Sequence, residues 1–539
     1  MAQAQTAVPL PPVKKTQATL GLVAVFATYF ASSYFFRGSG VTLPKIAADL
    51  GGMHLYSWAI SLPALASAFV TLTFGKLSDM YGRRVMLILS LSLYIGGAIL
   101  AAFCQSFSSF ITARIVISLG QGALSPLCFS VIGDLYSPAE RSKWSGLLQI
   151  PAGVAALIVP TTVGMLTDSL TWRYFFWIAV LLALAGGILI LIGLPVHSKR
   201  TEHKIDFSGS CLLAIASSTM ILAFSWAGDV YAWTSYPILG LLVVSVISWS
   251  ILLWIEGKAE EPMLDSQVLK NPTFLIAAMS ALISYFACAG MLMYFPMFLQ
   301  GVQGTSATLS GKLITPFSAL MSFTGVPAGI ILSRTKRYKP MYIVGYGILT
   351  LAMFITVTFN AKTSALLEIV VVALAGLGLG AIPTMNTLVA QFALPKRLLG
   401  SAVGAMFFFV FMGGAIAPAI LGSAMNQEYA KKLKMSMPPE LIQIADPKTL
   451  LSLSDPKILL STTAMDKLQE TFKAFGDRGP SLSQQTVQAI HHSFEASLKY
   501  VFLIGAVTSL LSLLLILTIP EVSIDAEAED KGQTRQRKD

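Results

Sequence analysis

Residues 75–84 read GKLSDMYGRR, a charged stretch held between two apolar runs, 58–75 and 85–104. Gly75 and Gly82 permit tight backbone, Asp79 can cap a helix end or pair with a cation, and Arg83 and Arg84 supply cations. Such a cluster suits a latch that joins two helical bundles at one membrane face and lets go when they rock apart. An ordinary basic loop is the plainer reading.

Outward from this loop the chain is apolar almost throughout: of 539 residues 55% are hydrophobic and 12% charged, and the mean hydropathy is +0.70. That balance is far from a soluble domain and describes an all-α polytopic membrane protein. Apolar runs of about 18 to 25 residues, enough to cross ~30 Å of hydrocarbon as helices, recur along the chain. They predict spans near 19–43, 58–75, 85–104, 110–133, 145–166, 175–195, 207–227, 236–255, 273–299, 312–333, 340–359, 365–391, 400–424 and 499–519. Lys76, Arg83, Arg84, Arg141, Lys143, Arg334, Lys336, Arg337 and Lys339 lie among many cations in the loops after even-numbered spans. The opposite short loops hold little beyond Arg173 and Lys362. The positive-inside rule then predicts a multi-pass protein of the inner (plasma) membrane with both termini cytoplasmic. The tail 1–18 has no cleavage-site pattern and reads as cytosolic, not as a removed signal.

The net charge of +10 sits in these loops, so nucleic acid is not an expected partner. Cys104, Cys128, Cys211 and Cys288 lie in or beside apolar segments without metal-ligand spacing. His491 and His492 have no companion ligands and read as a solvated helix face. No metal and no cofactor are expected, and without a phosphate-cradling loop the chain reads as a non-enzyme driven by a gradient. Residues 425–498 form a long polar insertion on the outer side, with the near-repeat DPKTLLS (446–452) and DPKILLS (455–461). Asp-Pro suits an N-cap and first helical position, so short amphipathic helices are expected there. A capping loop and a lid or partner-docking element are both open for it.

GKLSDMYGRR resembles the signature loop between the second and third helices of the major facilitator superfamily. TARIVISLGQGA (112–123), DLYSPAERSKWSG (134–146) and DSLTWRYFFWI (168–178) extend the likeness. PMFLQGVQGTSATLSG (296–311) and GLGLGAIPTMNTLVAQF (376–392) resemble its fourteen-helix drug:proton antiporter branch. The resemblance implies two six-helix bundles, 19–195 and 273–520, with two extra helices at 207–255 between cytoplasmic linkers 196–206 and 256–272, and a cytoplasmic tail at 521–539. It also implies a central cavity and alternating access, with the substrate near the midplane. Two departures stand out. In the fifth span, 159–164 reads VPTTVG, keeping only Pro160 and Gly164 of the branch's glycine-proline-glycine-glycine pattern, as candidates to bend the helix. In the second half, GIILSRTKRYK (329–339) has Ser333 where the signature loop has its acid.

The branch carries an aspartate nine residues before the first-span Leu-Pro proline; here, counting from Pro44, that position is Phe35, and Arg37 lies two residues on. Arg37 is about 10 Å deeper than Pro44 along a helix. A charge at that depth needs a partner, a wet cavity or a route to the surface; pairing with Glu368 or Asp168 and snorkelling outward are the structural readings. Arg114 matches the fourth-span arginine that faces the cavity in the family and is linked there to proton coupling. Two guanidiniums without a deep carboxylate suit a carboxylate, phosphate or sulfate head group. Tyr34, Phe35, Tyr285 and Tyr294 are candidates to hold a lipophilic body, and Glu368 or Asp134 to carry the proton. The expected function is export of small amphiphilic compounds, drug-like or organic-anionic, by a monomer surrounded by membrane lipid. Uptake of organic anions, or work on lipid or envelope components with a partner at 425–498, stands as the alternative.

Overall fold

The structure, a computed structural model, describes residues 15–51, 55–194, 207–228, 231–256, 266–305, 307–395, 398–437, 472 and 479–520. Its helices are α1 (Lys15–Asp49), α2 (Tyr56–Tyr81), α3 (Arg83–Phe103), α4 (Phe107–Leu135), α5 (Glu140–Thr167), α6 (Arg173–Gly193) and α7 (Phe207–Trp226). They continue as α8 (Tyr236–Glu256), α9 (Pro272–Gly301), α10 (Leu309–Thr335), α11 (Lys339–Val357), α12 (Ala365–Phe392), α13 (Leu399–Ser436) and α14 (Gly479–Leu517). Among the described residues 13 helices are long and apolar enough to cross a membrane. The remaining expected span, 207–227, is α7, whose apolar part Cys211–Trp226 is shorter.

Helices α1 to α6 pack on one another, as do α9 to α14, and α7 with α8 lies along α2 and α13. Gly82, at φ 90°, makes the turn between α2 and α3, a conformation in which a side chain would be strained.

Prolines decide where the helices break. A proline ring clashes with the carbonyl four residues earlier. Pro151 therefore disturbs Leu147, and α5 is interrupted at Leu148; Pro327 disturbs Phe323, and α10 is interrupted at Thr324. Pro296 is absorbed differently, by a π turn over Gly290–Tyr294 that keeps α9 continuous. Pro160, the expected bend, lies inside the continuous helix Gln149–Ser169, and the break in α5 lies upstream at Leu148.

Helices α13 and α14 have 38 and 39 residues, about twice what ~30 Å of hydrocarbon needs. The insertion 425–498 thus begins and ends as their continuation, with Tyr429, Leu433, Phe494 and Leu498 buried. Phe494 packs on Gly301, and its ring centroid lies 6.4 Å from that of Tyr429. The helices expected at 446–461 lie outside the described residues.

Candidate functional site

At one end of the molecule the latch residues meet the other bundle. Asp79 stands in the last turn of α2, where its charge opposes the dipole of its own helix. Its partners offset this: Arg83 Nη2 lies 2.6 Å from Asp79 Oδ1, and the first turn of α13 donates to it from across the interface. The donors are the backbone N–H groups of Gly400, at 2.9 Å, and Ser401, at 2.8 Å, with the Ser401 hydroxyl at 3.1 Å. A helix N-terminus is a ready anion site, so Asp79 caps α13 from the opposite bundle. Arg83 also donates to Ser78 Oγ and, through Nε, to Asp134 Oδ2 at 2.8 Å. Arg84 stays within its bundle and donates to the carbonyls of Leu191 and Leu194, each at 2.8 Å.

Close approach needs small residues. A Cβ on Gly75 would lie 2.6 Å from the Gly400 carbonyl oxygen, and one on Gly400 would lie 2.6 Å from Asp79 Oδ1. The pseudo-equivalent contact joins α5 to α10 by glycine alone. A Cβ on Gly146 would stand 2.6 Å from the Gly325 oxygen, and one on Gly329 would press on the Ser142 carbonyl. Ser333, in the position of the missing acid, donates to Ile330 O within its own helix at 2.7 Å. Gln391 Nε2 of α12 reaches Phe129 O of α4 at 3.1 Å and closes the same end.

Toward the far end the candidate site residues separate into two sets. Arg37 is half-buried, its guanidinium carbon 6.0 Å from the Phe36 ring centroid, and it stands within electrostatic reach of Tyr29 on its own helix and of Tyr285 and Cys288 on α9. Among the described residues it forms no ion pair; Glu368 instead accepts from Gln303 Nε2 at 2.5 Å, buried in the first turn of α12. The side chain of Asp168 lies outside the described residues. Arg114 is half-buried on α4, 6.0 Å from the Phe110 ring.

The aromatics next to Arg37 point the other way. Tyr34 stacks on Phe175 of α6 at 5.3 Å and donates to its carbonyl at 3.4 Å. Phe35 stacks on Phe175 at 5.5 Å and meets Tyr94 edge-on at 5.6 Å. Both are buried in the packing of the first bundle and do not join Arg37. Tyr285 lies on Gly413 and Gly414 of α13, and Tyr294 donates to Pro418 O at 3.0 Å, so the α9 pair borders the same helix. Gly164 of α5 stands beside α1, where a Cβ would be 3.8 Å from Val41. Sequence reasoning missed Gly400 and Ser401 as donors to Asp79 and the α5–α10 glycine contact. A Gly-Ser pair opening an apolar span was the available signal for the first.

Two helical bundles that meet through an ion-paired loop and a glycine contact at one end, each apolar enough to cross a membrane, make this a multi-pass membrane protein of two packed halves. Residues 25–418 match the Major Facilitator Superfamily, and the chain belongs to that family. It is 29% identical over 428 residues to the multidrug transporter protein MdtP of Bacillus subtilis, covering 79% of each chain. It is 26% identical to multidrug resistance protein 3 of the same organism, over 72% of this chain and 76% of that one. In fold it is similar to the crystal structure of the human organic anion transporter MFSD10, with a TM-score of 0.58 at 14% identity, covering 94% of this chain and 100% of that one.

Proposed function

We propose that this transporter exports small amphiphilic anions by alternating access, using the proton gradient. The observation that carries the charge preference is Arg37, half-buried within the apolar span of α1 with no ion pair among the described residues. At that depth a guanidinium attracts an anionic head group, which it binds through two parallel hydrogen bonds, and repels a cation. The apolar walls of α1 and α9 accept the rest of the molecule. Export as the direction is supported by relatives named as multidrug transporters. The cations Lys76, Arg83, Arg84, Arg334, Lys336 and Lys339 at the latch end support a cytoplasmic assignment for that end. With the latch shut, the site then opens to the outside.

The test is competition in proteoliposomes: matched anionic and cationic amphiphiles against a fluorescent substrate, for wild type and Arg37→Ala, with and without a pH gradient. Anion preference that disappears in the variant is the expected result. Cation preference untouched by the substitution would return Arg37 to a structural role, and uptake toward the latch end would reverse the direction.

A further inference from the structure

The α2–α3 and α10–α11 loops stand at equivalent places in the two bundles, and their charges are balanced differently. In the first, Arg83 has the carboxylates of both Asp79 and Asp134. In the second, 334–339 reads RTKRYK, four cations in six residues, and Ser333 spends its hydroxyl on Ile330 O of its own helix. Arg334, Lys336 and Arg337 are exposed and Lys339 is half-buried. Like charges this close repel, and a surface of one sign draws a partner of the other. The acids of the first bundle at this end are engaged: Asp79 and Asp134 with Arg83, and Glu140 with the Ser137 hydroxyl at 3.0 Å.

The backbone of the loop points to charge as well. Lys336 lies in the left-handed region, at φ 57°, with its N–H bonded to Leu332 O at 2.8 Å as the cap that ends α10. Among the described residues it is the one non-glycine with positive φ. Glycine takes that conformation without strain, so what a lysine adds there is its charge.

The chain leaves the last helix at this same loop. Helix α14 ends at Leu517, and the hydroxyl of the buried Tyr338 donates to the carbonyl of Pro520. From that anchor the sequence runs EVSIDAEAED over 521–530, with five acids and no cation; these residues lie outside the described ones. Successive Cα atoms are about 3.8 Å apart. The four cations are at most four residues from Tyr338, so their backbone lies within about 15 Å of its Cα, and Glu521 and Asp525 lie within about 19 Å of Pro520. Five acids therefore follow directly from a point on a surface of four cations.

We propose that the acidic segment 521–530 docks on the α10–α11 loop through Arg334, Lys336, Arg337 and Lys339. It supplies from elsewhere in the chain the acid that this loop lacks at Ser333, and it keeps the four cations off anionic lipid head groups. The docking ties α14 to the end of α10, the helix that meets α5 through Gly329. It concerns a different surface from Arg37 and is independent of the charge of the substrate.

The experiment acetylates the lysines of the full chain in lipid nanodiscs and reads each site by peptide mass spectrometry. Wild type is compared with the variant Glu521→Gln, Asp525→Asn, Glu527→Gln, Glu529→Gln, Asp530→Asn, which alters none of the described residues. Discs of phosphatidylcholine alone are set beside discs that also contain phosphatidylglycerol. Lys336 and Lys339 are expected to react about tenfold more slowly in wild type than in the variant in both discs, which is what two or three exposed ion pairs are worth together. The difference is expected to vanish in about 1 M salt. Exposed Lys362, at the far end, is expected to react alike in both proteins and so reports an unaltered fold. In wild type, carbodiimide is expected to join a carboxylate of 521–530 to Lys336 or Lys339. Equal reactivity of Lys336 and Lys339 with and without the acids would overturn the docking. Protection that appears only with phosphatidylglycerol, and is the same in both proteins, would overturn it by giving the surface to lipid. Carbodiimide cross-links spread evenly over Lys76, Lys143 and Lys339 would overturn it as well.

Discussion

Asp79 of α2 and Gly400 of α13 are 321 residues apart, and the carboxylate of one accepts from the backbone N–H of the other at 2.9 Å. The charge that would destabilise the end of α2 is answered by the free amides that open α13. The contact joins α2 to the opening of α13 across the bundle interface.

Asp79→Asn removes the anionic cap of α13, the part of its contacts that crosses the interface; hydrogen bonds to a charged group are worth about 1.5–3 kcal/mol, tenfold or more in the closed-to-open ratio. Spin labels on Tyr81 and Thr335, both exposed at the latch end, are expected to move apart in electron–electron distance measurements. An unchanged distance distribution would remove the latch role.

Gly329→Val tests the second contact. Its side chain would strike the Ser142 carbonyl and the Gly146 backbone, an overpacking cost of about 1–3 kcal/mol against closure. The same label pair is expected to open, and this opening is expected to be indifferent to salt, because nothing charged makes the contact. The opening in Asp79→Asn is expected to vary with ionic strength. Identical salt dependence in the two variants would contradict the distinction.

Glu368 is expected to be structural. Glu368→Gln keeps a hydrogen bond to Gln303 and is expected to retain gradient-driven transport. Glu368→Leu leaves the Gln303 amide without its buried acceptor and is expected to lose about 1–3 kcal/mol of stability, read by thermal unfolding in detergent. A drop of transport in Glu368→Gln without a change in stability would instead make it a coupling residue.

Phe494→Ala opens a space between Gly301 and Tyr429 and is expected to cost about 3–5 kcal/mol. Replacing 438–470 by a short linker, with 425–437 and 471–498 kept so that the buried Phe472 stays, is expected to leave the fold standing. Equal loss in both would show that the helical extensions carry no packing of their own.

Much of this protein is legible along the chain. The spans follow from apolar length and the composition of the latch from GKLSDMYGRR, because hydrophobic thickness and loop charge are local properties. Helix breaks are less so: the ladder is interrupted or widened at Pro151, Pro296 and Pro327, while Pro160 is carried inside a continuous helix. Proline acts on the carbonyl four residues back, and whether that helix yields depends on its neighbours.

The sequence by itself determined an all-helical chain of many membrane-length apolar spans, 13 of them found among the described residues, and that Arg37 stands within a span without the acid expected near it. Only the tertiary structure decided where the side chains of a span point. Tyr34 and Phe35 adjoin Arg37 yet turn into the packing of α6, where both rings stack on Phe175, while Arg37 is left half-buried beside Phe36. The physical reason is that lipid and protein interior are equally apolar, so a span apolar on all sides has no periodicity to mark its buried face. Direction around such a helix is set by shape, through glycines such as Gly38 that let Phe175 come close. The partners that supply that shape lie far away in the chain.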